Sequence, residues 1–315
     1  MNKPYMSFVV VGRNDNYGYK FLERFQNFLN NLTYLCEKNK LNSELIIVEW
    51  NPPNENKKLH EVLKIKEDRK YLEIRFIEVP HKIHNTFEKC TEFPLFEYIG
   101  KNTGIRRSRG KFILVTNPDI IFSDEIIKRF SEMRLKNENF YVATRNDLSL
   151  NFYEEPSLEK IEKFVTSRHG FVSIYYPVSK NITKNFLSFL RFFKYLLFPI
   201  FNFKKYGYIW YMWGTPGDFT LLSKKGWHKI GGYPELPLYG KIDNYGIYLA
   251  RLNGLKRKVF KEKIYHQEHT RTLGQRKRGY NTFKKNIINL MHYKNVFPIN
   301  EQWGLNNVSL KEILK

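Results

Sequence analysis

The stretch 112-FILVTNPDIIFSDE-125 decides how this chain is read. Four apolar residues, Phe112 to Val115, run into Thr116-Asn117-Pro118-Asp119. The chain turns apolar again over Ile120-Ile121-Phe122 and then meets acid at Asp124 and Glu125. A short apolar run closed by turn residues reads as a buried strand with a polar end. Asp119 sits among apolar neighbours in a chain whose net charge is +22. It has two readings: a cap for the helix expected near Ser123 or Asp124, or a ligand-binding carboxylate.

The same pattern recurs upstream. Residues 7–12 (SFVVVG) predict a β-branched strand followed by the polar turn RNDNYG. Residues 44–50 (ELIIVEW) predict a second strand, closed by Asn51-Pro52-Pro53, and residues 72–79 (LEIRFIEV) a third. Between them, Phe21, Leu22, Phe25, Phe28, Leu29, Leu32 and Leu35 recur at helical spacing over 20–36. Further helices are expected over 57–67 and 95–109. Strand–helix–strand alternation with short connections argues an α/β fold, a mostly parallel sheet with helices on both faces. Ligands of such sheets bind outside the carboxyl ends of the strands. Arg13-Asn14-Asp15, Glu49 with Asn51, and Asn117-Pro118-Asp119 all fall at such ends and are expected to converge.

Composition narrows the class. At 315 residues with 42% hydrophobic content, the chain is a globular protein and not a disordered one. Its two cysteines, Cys36 and Cys90, make no zinc spacing and no disulfide framework, which points to a reducing, cytoplasmic setting. The N-terminal apolar run is too short for a signal peptide and reads as the first strand. No uncharged apolar stretch of about 18 residues is present, so no membrane span is expected. The positive charge admits nucleic acid, an anionic membrane face or a phosphorylated substrate. No helix-turn-helix, zinc finger or RNP-type strand is visible, so a nucleic-acid partner is not expected.

Taken whole, 98-YIGKNTGIRRSRGKFILVTNPDIIFSDE-125 resembles the nucleotide-sugar glycosyltransferases of the GT-A fold, especially the inverting family 2. The matching residues are Asn102, Gly104, Ser108 and Gly110, followed by Asn117-Pro118-Asp119 where those enzymes carry Asp-x-Asp. Asn117 stands in place of the first acid. The resemblance implies that Asp119 holds a divalent metal, Mn²⁺ or Mg²⁺, which neutralises the departing diphosphate of the donor. It also implies that Asn102 and Asn117 belong to the donor site. Glu49 would then contact the nucleoside, and Arg13 and Asp15 would hold uracil and ribose. Read without the resemblance, Glu49 caps a turn and Arg13 is a solvated surface residue.

The second half extends the likeness. Residues 213-WGTPGDFTLLSKKGWHKIGGYPE-235 resemble the acceptor-side segment of these enzymes, with Pro234 replacing the usual Asp. Residues 240-GKIDNYGIYLARLNG-254 resemble their acidic helix start, with Asp243 at the second acidic position and Ile242 at the first. An inverting transferase needs a carboxylate to take the acceptor's proton. The resemblance gives that role to Asp243, with Asp218 as the rival; either residue also reads as a cap or turn former. Helical spacing turns Tyr248, Leu249 and Leu252 inward. In 264-IYHQEHTR-271, His266 and His269 are candidate late ligands of the metal, and no HExxH arrangement is present. Arg271 and the run 276–285 read as a diphosphate clamp or as a solvated charge run.

The resemblance covers residues 5–270. It divides the chain into a transferase domain over 1–270, with a donor half at 1–125 and an acceptor half at 126–270. An insertion at 180–212 interrupts the latter, and 271–315 follow as a basic extension. Within 186–214, phenylalanines and leucines alternate with Arg191 and Lys194 up to Pro199. This segment looks like a basic amphipathic helix lying on an anionic membrane; a core helix or an oligomer contact is the alternative. Tyr206, Tyr208, Trp210, Tyr211 and Trp213 suit a stacking platform for an acceptor sugar, or packing at a hinge. The expected activity is transfer from a UDP-sugar to a glycan or lipid-linked saccharide at the cytoplasmic membrane face. The competing readings are a nucleic-acid-binding protein and a sugar nucleotidyltransferase. The latter normally begins with a Gly-rich basic loop, which GRNDNYG does not supply.

Overall fold

The β-branched and aliphatic runs form the centre of one mixed sheet. The computed structural model describes residues 3–149, 165–169, 178–179, 217–236, 242–270 and 301–315. Strands β1 (Met6–Gly12), β2 (Ser43–Trp50), β3 (Leu72–Val79) and β4 (Phe112–Thr116) pair in parallel in the order β3-β2-β1-β4. Every residue of β1, β2 and β4 is buried, as expected of a sheet covered on both faces. The sheet continues with β5 (Ile120–Phe122), β6 (Asn139–Leu148), β9 (Phe219–Ser223), β10 (Lys256–Gln267) and β11 (Lys311–Leu314). The order is β11-β3-β2-β1-β4-β9-β6-β10-β5, and β7 (Val165–His169) and β8 (Val178–Ser179) extend from β6.

Strand β9 runs antiparallel to β4 and β6, while β6 and β10 run parallel. The strands β1 to β4, β6 and β10 therefore end on one side of the sheet, and β9 begins there. Chain order reverses between β1 and β4, which places the ligand crevice of a doubly wound sheet at their carboxyl ends.

Two apolar layers hold the sheet. On one face α1 (Phe21–Lys38) and α5 (Asp124–Ser131) pack Phe25, Phe28 and Phe130 against Phe122 and Phe219. On the other, α4 (Glu97–Arg107), α6 (Lys224–Ile230) and α7 (Ile242–Leu252) bury Ile105, Trp227 and Ile247 over Val9 and Val48. Glycine spacing sets the approach of α4. A Cβ at Gly104 would lie 2.4 Å from Val9 Cγ1, and one at Gly100 would lie 2.8 Å from Val11 Cγ1. The helix lies on β1 because these two positions, one turn apart, carry no side chain.

Three details differ from the sequence reading. The helix expected over 57–67 is a single turn, α2 (Leu59–Val62), as is α3 (His81–His84) after β3. Beyond Leu63 the charged run Lys64–Lys70 carries one apolar residue, Ile65, which packs against the core but makes no helical stripe. In α7 the inward face is Ile242, Tyr245, Ile247 and Ala250; of the residues expected inward, Leu249 packs against the same core, while Leu252 is 45% exposed. The C-terminal residues set aside as an extension return to the domain. Strand β11 pairs antiparallel with β3, and Trp303 is buried beside α4, where its backbone carbonyl accepts from Arg106 Nε at 3.0 Å. A short strand at the end of a charged tail carries no periodic signal of its own. The stretch 186–214, Arg271 and the run 276–285 lie outside the described residues.

Candidate functional site

Strand ends bring the candidate metal ligands together. Asp119 follows β4, and His266 is the penultimate residue of β10. In the ladder His266 pairs with Ile120 of β5 on one side and with Asp147 of β6 on the other. The backbone N–H of Gln267 donates to the Asp119 carbonyl at 3.0 Å, so β10 fixes the turn that carries the carboxylate. One ligand atom from each of Asp119, His266 and His269 lies within 4.8 Å of the others. His266 Nε2 is 3.6 Å and His269 Nε2 3.5 Å from Asp119 Oδ2.

Asp119 does not cap the helix that follows it. Ser123 stands at the N-cap of α5, and Asp124 instead accepts from Lys38 Nζ at 2.7 Å and Asn39 Nδ2 at 2.8 Å. Asp119 Oδ1 is buried, and among the described residues nothing donates a hydrogen bond to it. A buried carboxylate oxygen without a donor is rare in folded proteins and suits a cation. Burial holds the His269 imidazole down at about 4 despite the nearby Asp119 charge, which leaves it neutral and able to ligate at pH 7. One carboxylate and two imidazoles fit Mn²⁺ better than Mg²⁺, which prefers oxygen ligands.

A buried ion network surrounds these ligands. Arg24 of α1, whose side chain is 2% exposed, donates from Nη1 to Asp119 Oδ2 at 3.1 Å. Its other nitrogens donate to the backbone carbonyls of Tyr17 and Tyr19 in the loop after β1. Tyr17 in turn lies edge-on to the His269 ring, with centroids 5.3 Å apart. Arg145 of β6 bridges Asp147, at 3.0 Å, and Asp218. Asn117 does not stand in for a second acid at the cation. Its Nδ2 donates to Asp218 Oδ1 at 2.7 Å, and its Oδ1 accepts from the buried Lys101 Nζ at 2.8 Å.

The two candidate bases occupy different surroundings. Burial would raise the Asp218 carboxyl, but the Arg145 charge overrides it and holds the group at about 2. Its two oxygens are taken by Arg145 and Asn117, so it is a weak proton acceptor at neutral pH. Asp243, in the first turn of α7, is half-buried with its carboxylate against Gly217. A Cβ at Gly217 would lie 2.3 Å from Asp243 Oδ2. The two aspartates therefore flank one turn at the start of β9.

The remaining sequence candidates are placed as follows. Arg13 Nη1 and Asn51 Nδ2 both donate to the Pro94 carbonyl, at 3.2 and 3.1 Å, so the ends of β1 and β2 do converge. Asp15 lies 3.6 Å from Arg13 Nε and accepts from the Tyr17 backbone N–H at 3.1 Å. Glu49 is buried and accepts from the Leu59 N–H at 2.9 Å, at the start of α2. Asn102 braces α4 against the Gly231-Gly232-Tyr233 turn: it donates to the Tyr233 carbonyl and to Glu235, and accepts from the Tyr233 N–H. Arg24, Lys101, Arg145 and Asp147 were not singled out by sequence. For Arg24 a signal existed, since it interrupts the buried stripe of α1 between Phe21 and Phe28.

No protein-family model matches the chain. No curated protein matches it. Among solved structures, the fold is similar to that of S. aureus TarS 1-349 in complex with UDP-GlcNAc, with a TM-score of 0.52 at 12% identity over 93% of this chain and 68% of that one. A second structure of S. aureus TarS 1-349 gives 0.49 at 12% identity, over 93% and 67%. The complex with UDP gives 0.46 at 12% identity, again over 93% and 67%. At 12% identity the likeness is one of architecture: this chain has the mixed α/β fold of TarS 1-349.

Proposed function

We propose that the chain is a glycosyltransferase that takes a sugar from a UDP-sugar, with a divalent cation held at Asp119, His266 and His269. The observation that carries this reading is the meeting of those three side chains at the carboxyl ends of β4 and β10, beside the crevice where such sheets bind ligands. The UDP-GlcNAc bound by TarS 1-349 makes that nucleotide sugar the first donor to test.

In this reading the cation, when bound, neutralises the charge that grows on the departing diphosphate. Arg24 holds Asp119 Oδ2, the oxygen beside the two imidazoles, while the buried Oδ1 has no donor among the described residues. His269, neutral at pH 7, supplies a nitrogen lone pair. Arg13 and Asp15 stand at the end of β1, and Asn51 at the end of β2, where uracil and ribose would be held. Asp243 takes the proton from the acceptor hydroxyl as that oxygen attacks the anomeric carbon, which inverts the centre. Asp218 orients Asn117 and Arg145 and does not take the proton. The acceptor is a glycan or lipid-linked saccharide, and residues 186–203 hold the enzyme to an anionic membrane surface. Among the described residues no helix is long and apolar enough to cross a membrane.

Calorimetric titration with UDP and Mn²⁺, followed by release of UDP from a panel of UDP-sugars, tests the reading. Wild type should bind UDP in a Mn²⁺-dependent way, and Asp119→Asn should abolish that dependence while its circular dichroism stays unchanged. Binding of oligonucleotides in preference to UDP, with no response to Mn²⁺, would overturn it.

A further inference from the structure

The carboxylate best placed to hold a cation already has one. Arg24 Nη1 sits 3.1 Å from Asp119 Oδ2, the same oxygen that faces His266 Nε2 and His269 Nε2. The side chains of both partners are buried, 2% exposed for Arg24 and 10% for Asp119, so water screens the pair weakly. Of the other carboxylates at this end, Asp147 and Asp218 share the single guanidinium of Arg145, and Glu97 pairs with Lys101. Asn117, at the position where a second acid would add charge, is uncharged and committed to Lys101 and Asp218. Among the described residues, Asp119 and its nearest ion-pair partner Arg24 together are formally neutral, imidazoles aside. A bare divalent ion gains little from a neutral pair and is repelled by the guanidinium. A nucleoside diphosphate carries the missing negative charge.

We propose that Arg24 is a positioning residue that makes the site accept a divalent cation together with the nucleoside diphosphate and reject the bare ion. This deepens the cation-site reading above and rests on it. Arg24 does so by two means. It cancels the Asp119 charge, and it occupies Oδ2, the oxygen that lies beside both imidazoles, so that Oδ1 is the oxygen left without a donor among the described residues. Its bonds to the Tyr17 and Tyr19 carbonyls keep the guanidinium in place, so it cannot swing away as an ion arrives. Cation and diphosphate are then coupled ligands, and the coupling is reciprocal: UDP tightens Mn²⁺ by the factor by which Mn²⁺ tightens UDP.

The test is Mn²⁺ binding to the whole protein, read by electron paramagnetic resonance of the free ion, with and without saturating UDP. Formation of the Mn²⁺–UDP complex in solution is measured separately and subtracted. Wild type should bind bare Mn²⁺ at least ~10²-fold more weakly than in the presence of UDP, the scale of a weakly screened unit charge near a divalent ion. Arg24→Met should tighten bare Mn²⁺ by at least ~10-fold and shrink the coupling factor, while Arg24→Lys, which keeps the charge, should stay near wild type. A wild-type coupling factor near one overturns the inference, as does bare Mn²⁺ affinity unchanged in Arg24→Met. Should Arg24→Met not fold, the wild-type factor still decides. If UDP binds but Mn²⁺ never does, the cation site of the preceding section fails, and this inference with it. If Mn²⁺ binds equally with and without UDP, only the inference fails.

Discussion

Glu49→Gln is expected to stabilise the protein at pH 8 and to leave it nearly unchanged at pH 4. Glu49 lies at the end of β2, 2% exposed, with one oxygen accepting from the Leu59 N–H. Burial, only partly offset by that N–H, pushes its carboxyl from the ordinary 4.5 up to about 7. The folded protein therefore holds this proton more tightly than the unfolded chain. Between about 4.5 and about 7 the unfolded chain ionises first, so stability falls as pH rises through that window and stays low above it. At 1.36 kcal/mol per unit the full loss is on the order of 3 kcal/mol. Glutamine keeps an oxygen for Leu59 and cannot ionise. Urea unfolding of both proteins at pH 4, 5, 6, 7 and 8 measures the difference, which should open from near zero at pH 4 to about 3 kcal/mol at pH 8. Parallel pH profiles for the two proteins would refute the reasoning, because they would mean that Glu49 ionises in the folded state as easily as in water.

Asp243→Asn should lower turnover by at least ~10²-fold with UDP affinity unchanged, the usual worth of a positioned base; steady-state kinetics beside calorimetry checks it, and the same pattern in Asp218→Asn alone would reverse the roles. Glu44→Ala should destabilise by roughly 1–3 kcal/mol in denaturant titration, because it removes one of the two carboxylates paired with Arg75 and the acceptor of Ser7 Oγ and the Arg109 backbone N–H. Gly104→Ala should cost about 1–3 kcal/mol, since its methyl would meet Val9 and push α4 off the sheet; a melting temperature equal to wild type would show that the helix shifts freely.

The parallel strands and main helices were legible in the sequence because their signals are local. Val9, Val10 and Val11 or Ile46, Ile47 and Val48 form strands wherever both faces can be covered, and the stripe from Phe21 to Leu35 forms a helix against whatever apolar face it meets. The placement of Asp119 at a strand end followed from the same local pattern. The late histidines were legible as residues, but their meeting with Asp119 depends on β10 lying between β5 and β6, a non-local pairing.

Tertiary structure alone decided what the charges do. Arg24 meets Asp119 across ninety-five positions of chain, and Asn117 meets Asp218 across one hundred and one. Neither pairing has a periodic signature, because an ion pair depends on where two strand ends lie and not on the spacing of residues between them. The sequence could mark Asn117 as a departure from an acid pair. Only the fold showed that Lys101 and Asp218 hold it there. Likewise 311-KEIL-314 becomes a strand because β3 presents an open edge to it, and an edge is a property of the assembled sheet.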